Sequence, residues 1–148
     1  FSRIMSLKDG TKKMSKSELS DLSRINLTDD KDVIVNKIKK AKTDPLPLPS
    51  NIEELNKRPE AKNLLGIYSS LSGLSLIKSV ELFEGKNFSE FKEKLSQVLI
   101  EKIAPISAEI KKLTGEKEFL DKILLEGCGK ANNIASNKIK RMKEIVGF

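Results

Sequence analysis

Histidine and tryptophan are absent from this sequence of 148 residues, and cysteine occurs once. Without histidine and with a single cysteine, the chain offers no His/Cys set for zinc, and Cys128 excludes a disulfide within the chain. Aromatic residues make up only 5%, so we expect a core built mainly of Leu, Ile and Val. No apolar run approaches the roughly 20 residues of a membrane span. These absences predict a domain that folds on apolar burial alone, without a membrane partner.

The beginning of the sequence, FSRIMSLKDG, has neither an initiator methionine nor the apolar stretch of a signal peptide. We therefore expect the chain to be a piece of a longer protein. A single cysteine also fits a reducing compartment.

Positive charge exceeds negative charge, with a net charge of +7 and a pI of about 9.4. The excess is concentrated in residues 1–43, which hold 11 Lys and Arg against 6 Asp and Glu, whereas residues 44–148 hold 17 against 15. Such an excess favours polyanionic partners.

Hydrophobic periodicity divides the chain into a short irregular part and a helical part. RIMSL, residues 3–7, is typical of a buried strand or strand end, and residues 10–27 read as a loop. A helix is predicted to begin with Thr28 or Asp29 as its N-cap and to bury Ile34, Ile38 and Ala41. The prolines of TDPLPLPSN then break the pattern, which predicts a domain boundary after Asp44.

Beyond the prolines, residues 45–148 follow the helical period throughout and predict an all-α bundle. Tyr68 lies on the apolar face of its helix and is predicted to be a core residue rather than an RNA-stacking one. The segment EGCG, residues 126–129, is predicted to interrupt the last helical stretch. Cys128 is accordingly expected to be a small buried residue at a helix junction.

The segment GTKKMSKSELSD, residues 10–21, combines three lysines with three serines. A solvated charged loop is the default reading of such a run. A P-loop would need a second glycine before Lys-Ser, which is missing here. Residues 13–17, however, match letter for letter the KMSKS signature of class I aminoacyl-tRNA synthetases, and the pattern favours that reading.

The chemistry of these enzymes explains why lysines are needed on a mobile loop. An amino-acid carboxylate attacks the α-phosphate of ATP, and pyrophosphate leaves with growing negative charge. Catalysis of such a step is largely positioning and electrostatic stabilisation. Lysine side chains act as flexible point charges on phosphate oxygens, and a mobile loop can close over the nucleotide.

The surrounding sequence resembles the bacterial-type tryptophanyl-tRNA synthetases over essentially the whole chain. The most specific similarity lies in RIMSLKDGTKKMSKS and SRINLTDDKDVIVNKIKKAKTD. RPEAKNLLGIYSSLSG and the ending GCGKANNIASNKIKRMKEIVGF are similar as well. The resemblance implies that residues 1–44 are the last piece of a Rossmann catalytic domain with its signature loop. Residues 45–148 would then be the helical anticodon-binding domain. Gly10 stands where proline is common in the family, so a looser loop is expected.

The same resemblance implies a set of nucleotide-binding residues. The implied ATP site consists of Ile4, Lys13, Met14, Ser15, Lys16 and Ser17. Among them Lys13 and Lys16 would be catalytic by binding the phosphates, Ile4 and Met14 would border the adenine, and the serines would support the loop. The implied activity is that of a tryptophan–tRNA ligase that uses ATP with Mg²⁺ and binds no metal itself. The implied partners are tryptophan, tRNA(Trp) and a second subunit in a homodimer, in the cytoplasm or an organelle.

The lack of histidine means that the chain cannot contain the HIGH-like element, the other ATP signature of class I enzymes. We expect this chain to form one wall of an active site and to be inactive alone. The alternative is a non-catalytic helical RNA-binding or scaffold fragment. A basic group near the end is normally a solvated face, but in a tRNA context it is a candidate RNA contact. It comprises Lys138, Lys140, Arg141 and Lys143.

Overall fold

The structure, a computed structural model, describes residues 3–148 and is predominantly helical, as predicted. Strand pairing within that range is limited to one antiparallel bridge between Met5 and Lys13. The elements are the 3-10 turn η1 (Asp21–Ser23) and the helices α1 (Lys31–Lys39), α2 (Ile52–Asn56), α3 (Pro59–Ser72), α4 (Leu76–Phe83), α5 (Phe88–Gly115) and α6 (Lys117–Val146).

The chain falls into two compact units, one extending to Ala108 and the other comprising Glu109–Phe148. The first unit has one hydrophobic core that draws on both sides of the proline-rich connector. Leu7 and Ile38 come from before it, and Leu64 and Phe91 come from after it. The domain boundary predicted after Asp44 stays a prediction, but residues on its two sides are packed into the same core.

Helix α1 begins one or two residues later than predicted, with Asp30 rather than Thr28 or Asp29 as its N-cap. The reason is that the side chain of Asp29 is engaged elsewhere. Its Oδ2 accepts hydrogen bonds from the main-chain N–H of Asn26 (2.9 Å) and from Nζ of Lys37 (2.7 Å). The apolar face behaves as predicted, because Ile34 and Ile38 are fully buried.

The proline connector is fixed by a single guanidinium group. Arg58 Nε and Nη2 donate to the two carboxylate oxygens of Asp44, and its other hydrogen bonds reach the carbonyls of Leu46 and Pro47. The guanidinium carbon also lies 5.7 Å from the ring centroid of Phe88. Burial raises the pKa of Asp44, but the hydrogen bonds from Arg58 and from the Leu46 main chain outweigh it and hold the pKa below its ordinary value.

Three aromatic rings join α3, α4 and α5. The centroids of Tyr68 and Phe83 are 4.8 Å apart with an edge-on arrangement, and Phe83 meets Phe91 in the same way at 4.8 Å. Edge-to-face contacts of this kind add to the energy of area burial. The core assignment of Tyr68 is therefore confirmed.

Helix α6 corrects two expectations. It runs without interruption from Lys117 to Val146, so the predicted break at EGCG is wrong. Glycine inside a helix costs about 1 kcal/mol relative to alanine, but it does not end the helix unless the chain turns left-handed. Neither Gly127 nor Gly129 has a positive φ. Cys128 is exposed rather than buried, because the junction that was expected to cover it does not form.

Truncation of Phe91 should show how much the aromatic contacts stabilise the first unit. Phe91 is fully buried, and Phe91→Ala should lower the free energy of unfolding by about 3–5 kcal/mol through lost burial and an unfilled cavity. Urea unfolding measures this, with Ile77→Ala, at a 59% exposed position of α4, as the control. Similar losses in the two variants would contradict the described core.

Candidate nucleotide site

Residues 4–6 and 12–14 form the two arms of a small hairpin, and the second arm carries Lys12 and Lys13. Asp9 starts its turn, since its carboxylate accepts from the N–H and the hydroxyl of Thr11 and its carbonyl accepts from the N–H of Lys12. The hydrogen bonds from Thr11 lower the pKa of Asp9. Ladder hydrogen bonds then join Ser6 N–H to the Lys12 carbonyl (2.8 Å) and residue 14 N–H to the residue 4 carbonyl (3.1 Å). This pairing brings residues 4 and 14 side by side.

An open cavity of about 960 Å³ lies beside the hairpin. Its lining combines apolar side chains with cations and two small polar groups. The lining residues are Arg3, Ile4, Lys13, Met14, Ser15, Lys16, Arg24, Ile25, Asn26 and Leu27. Five of the six residues predicted to bind ATP are thus brought together, and Ser17 lies outside the lining. Their assignment to ATP stays a prediction.

The ammonium groups of Lys13 and Lys16 differ from those of the neighbouring lysines. Within residues 3–148 neither has a hydrogen bond or an ion pair, whereas Lys12 lies 3.6 Å from the Asp9 carboxylate and Lys8 contacts Ser20. The two side chains are exposed. They are therefore available to an anion in the cavity.

The two serines of the motif contact each other. Their hydroxyl oxygens, on Ser15 and Ser17, are 3.1 Å apart, and the N–H of Ser17 lies 3.4 Å from the Ser15 hydroxyl. Such local hydrogen bonds favour a turn. The arrangement fits the predicted role of these serines in shaping the loop, and that role stays a prediction.

The chain that returns from the loop is held by a cluster of ionic groups around one buried lysine. Lys37 is 1% exposed, and its Nζ lies 2.7 Å from the Asp29 carboxylate and 2.6 Å from that of Asp21. The hydrogen bond from Lys37 lowers the pKa of Asp21. Asp21 also pairs with Arg24 (3.0 Å), and Arg24 Nη1 donates to the carbonyl of Glu18 (2.8 Å). The cluster thus connects α1 to the end of the lysine loop, residues 10–21.

This cluster was not predicted from the sequence, although the sequence contains a signal for it. Lys37 lies three residues after Ile34 and four before Ala41, so it falls within the buried stripe of α1. A lysine on a buried face is almost always paired. The sequence could therefore have predicted a buried ion pair, but it does not specify the partners.

The basic residues near the end of α6 do not form one patch. Successive residues of a helix are about 100° apart. Lys138 and Arg141 therefore share one side, and Lys140 and Lys143 lie on roughly the opposite side. All four are exposed. Lys140 and Lys143 also line a shallow depression with Phe148. Any RNA contact would use one pair or the other.

The part of the chain that the structure describes, residues 3–148, lacks two further classes of site. It contains no group of three or more Cys, Asp or Glu side chains arranged to hold a metal ion. None of the helices in this range is both long enough and apolar enough to cross a membrane.

The hairpin, its lysine pair and the following helices define a class of protein that comparison with known sequences identifies. The family model of the class I tRNA synthetases (W and Y) matches residues 1–111, and the chain belongs to that family.

Curated relatives within the family are tryptophan–tRNA ligases, which confirms the resemblance found in the sequence. The enzyme from Mesorhizobium japonicum is 49% identical over 146 residues, which cover 99% of this chain and 41% of the relative. That from Rickettsia felis is 51% identical, with coverages of 99% and 44%. The chain thus spans about two-fifths of the length of the curated relatives it matches.

Solved structures of the same family are similar to this fold. The tryptophanyl-tRNA synthetase of Campylobacter jejuni aligns with all of this chain and 44% of its own, with a TM-score of 0.74 and 21% identity, so the similarity concerns the fold alone. That of Mycoplasma pneumoniae aligns with 74% of this chain and 35% of its own, with a TM-score of 0.62 and 28% identity.

Removal of the buried ammonium tests the ion cluster. Lys37→Met keeps the length of the side chain but leaves Asp29 buried without its cation. Loss of one partner of a buried pair costs about 3–5 kcal/mol, so the free energy of unfolding at neutral pH should fall by that order. Urea unfolding measures it, and Lys39→Met, at an exposed position of the same helix, should change it little.

The stability lost in Lys37→Met should also depend on pH. The folded pKa of Asp21 is lowered, so its contribution to wild-type stability is present above the ordinary carboxyl pKa and is lost as the pH falls through the folded value. The difference in stability between wild type and Lys37→Met should therefore narrow in acid. A difference that widens below pH 4 would argue against the cluster.

Proposed function

We propose that this chain is the part of a tryptophan–tRNA ligase that supplies the loop for ATP and pyrophosphate together with helices that contact the tRNA. The complete enzyme would activate tryptophan with ATP, release pyrophosphate and transfer the tryptophanyl group to tRNA(Trp). The observation that carries the proposal is the pair of exposed ammonium groups, Lys13 and Lys16, that have no partner within residues 3–148 and line one cavity.

The cavity offers different chemistry to different parts of ATP. Lys13 and Lys16 would bind the phosphates and stabilise the charge that develops on pyrophosphate as it leaves. Ile4 and Met14, adjacent across the hairpin, would contact the adenine. Arg3 and Arg24 add two further cations to the lining. Mg²⁺ would arrive with the nucleotide rather than on protein carboxylates.

The proposal assigns tryptophan binding and the second ATP signature to residues that this chain does not contain. The chain alone should therefore not form the adenylate. By the same proposal the complete enzyme would be a homodimer in the cytoplasm or an organelle, because the family resemblance implies it.

The lysine assignment can be tested in the enzyme produced from the complete reading frame. Lys16→Ala should slow tryptophan-dependent ATP–pyrophosphate exchange on the order of a hundredfold, mainly in kcat. Loss of one aimed donor costs about 3 kcal/mol in the transition state. The KM for tryptophan should change little.

Lys12→Ala is the matched control, because Lys12 lies in the same loop but pairs with Asp9. It should retain nearly the wild-type exchange rate. Exchange by Lys16→Ala at the wild-type rate would show that the loop does not act on ATP.

Binding of tRNA should depend on charge in one of the two basic pairs of α6. Cognate tRNA would be titrated at two salt concentrations against the wild-type chain, Lys138→Ala/Arg141→Ala and Lys140→Ala/Lys143→Ala. Affinity should fall with salt because each neutralised phosphate releases counterions. One double variant should lower both the affinity and the salt slope. Salt-insensitive binding, or equal affinity in all three proteins, would contradict an electrostatic contact by this helix.

A further inference from the structure

Asn63, one turn from the beginning of α3, is a buried polar residue that none of the roles above uses. It is 3% exposed. Its Oδ1 accepts from the main-chain N–H of Met5 (2.8 Å), and its Nδ2 donates to the carbonyl of Met5 (2.8 Å), across 58 residues of sequence. One side-chain amide thus satisfies both main-chain groups of one residue.

Met5 needs such a partner because of its place in the hairpin. In a strand, the main-chain groups of successive residues point to opposite edges. Residues 4 and 6 hydrogen-bond to residues 14 and 12 of the other arm, so the groups of Met5 face away from that arm and toward α3. The amide of Asn63 therefore occupies the position that a further strand would have in a sheet.

A second contact joins the same helix to the tip of the hairpin. Gly10 is buried, and a Cβ added to it would lie 2.6 Å from the main-chain N of Glu60 and 2.6 Å from the main-chain carbon of Pro59. Glycine at this position provides a close approach between the turn and the first turn of α3. The Glu60 carboxylate is also paired with Lys42 at 2.9 Å.

These contacts place α3 beneath both the first arm and the turn of the lysine hairpin. Ile4, next to Met5, lines the cavity, and Met14 lies opposite it through the ladder. If α3 moved while the hydrogen bonds between Asn63 and Met5 stayed intact, residues 4 and 14 would move with the helix. A displacement that broke them would leave the N–H and the carbonyl of the half-buried Met5 without these partners, which costs free energy.

We propose that Asn63 is a positioning residue through which helix α3 sets the geometry of the nucleotide-binding loop. The part of this inference that concerns ATP rests on the proposed function. The part that concerns the hairpin does not, because it can be read from the order of the loop without any substrate.

The first test uses Asn63→Leu, which keeps the shape of the side chain and removes both polar groups. In tryptophan-dependent pyrophosphate exchange by the complete enzyme, the KM for ATP should rise about tenfold or more, and the KM for tryptophan should stay within about twofold. Leu65→Ala is the control, since Leu65 is fully buried about 200° around the same helix. It should lower the melting temperature without raising the KM for ATP.

The second measurement needs no activity. Amide hydrogen exchange of the apo protein should show faster exchange at Met14 in Asn63→Leu than in wild type, and unchanged exchange there in Leu65→Ala. If Asn63→Leu does not fold, Asn63→Ser takes its place in both measurements. Its hydroxyl can satisfy only part of the Met5 main chain, so a smaller change in the same direction is expected.

The outcomes separate this inference from the proposed function. If wild-type enzyme exchanges pyrophosphate and Lys16→Ala does not, but the Asn63 variants keep the wild-type KM for ATP, the positioning role is wrong and the proposed function stands. If Leu65→Ala raised the KM for ATP as much as the Asn63 variants do, the positioning role would also be wrong. Any destabilisation of α3 would then be enough to weaken ATP binding. If wild-type enzyme shows no exchange, the proposed function fails, and Met14 protection alone decides the role of Asn63.

Discussion

Burial of apolar side chains from both sides of the proline connector in one core is the interaction on which the first unit depends. Leu7, beside the hairpin, and Ile38, in α1, are buried together with Leu64 of α3 and Phe91 of α5. The lysine loop is therefore built on the same apolar core as the helices. Burial of a large apolar side chain contributes about 1.5–3 kcal/mol. If the segments before and after the connector separated, several such side chains would be exposed and their contributions to stability would be lost.

Apolar packing holds these parts together, and a few buried polar groups decide how they are aligned. Hydrophobic contacts are non-directional, whereas hydrogen bonds require close distances and favourable angles. Three polar side chains, Lys37, Arg58 and Asn63, each join different segments of the chain. Lys37 fixes the chain that leaves the loop, Arg58 fixes the connector, and Asn63 fixes the chain that enters the loop. The cavity is lined by residues of the two segments that Lys37 and Asn63 contact.

The exposed lysines of the loop differ from these buried polar groups in that their charged ends are unpaired in the described part of the chain. Lys13 and Lys16 lie on a loop whose two ends are fixed, but their ammonium groups have no partners within residues 3–148. An ammonium group that is paired with a carboxylate would have to break that ion pair before it could bind a phosphate. The neighbouring Lys12 is such a group, because it pairs with Asp9. The structure thus distinguishes lysines of equal charge by their surroundings.

Much of this could be predicted from residues that act locally. Prolines that interrupt a helix and glycines that end one, such as Gly73, act on neighbours within a few positions. The same is true of the spacing of apolar residues in α3 and α5. The helical class could therefore be predicted from the sequence. The KMSKS letters likewise indicated the family, because the match needs no knowledge of packing. The predicted break at EGCG failed because glycine only weakens a helix, and its flanking residues favour the helical state.

The sequence by itself determined that the chain is helical, that its positive charge is concentrated near its beginning, and that residues 13–17 carry the KMSKS letters. Only the tertiary structure decided which lysines are free, where Lys37 finds its acids, and that Asn63 pairs with Met5. Periodicity places a residue on a face, but it does not specify the partner that covers that face. Partners 58 residues apart are chosen by the packing of the whole core, and that choice is a property of the folded chain.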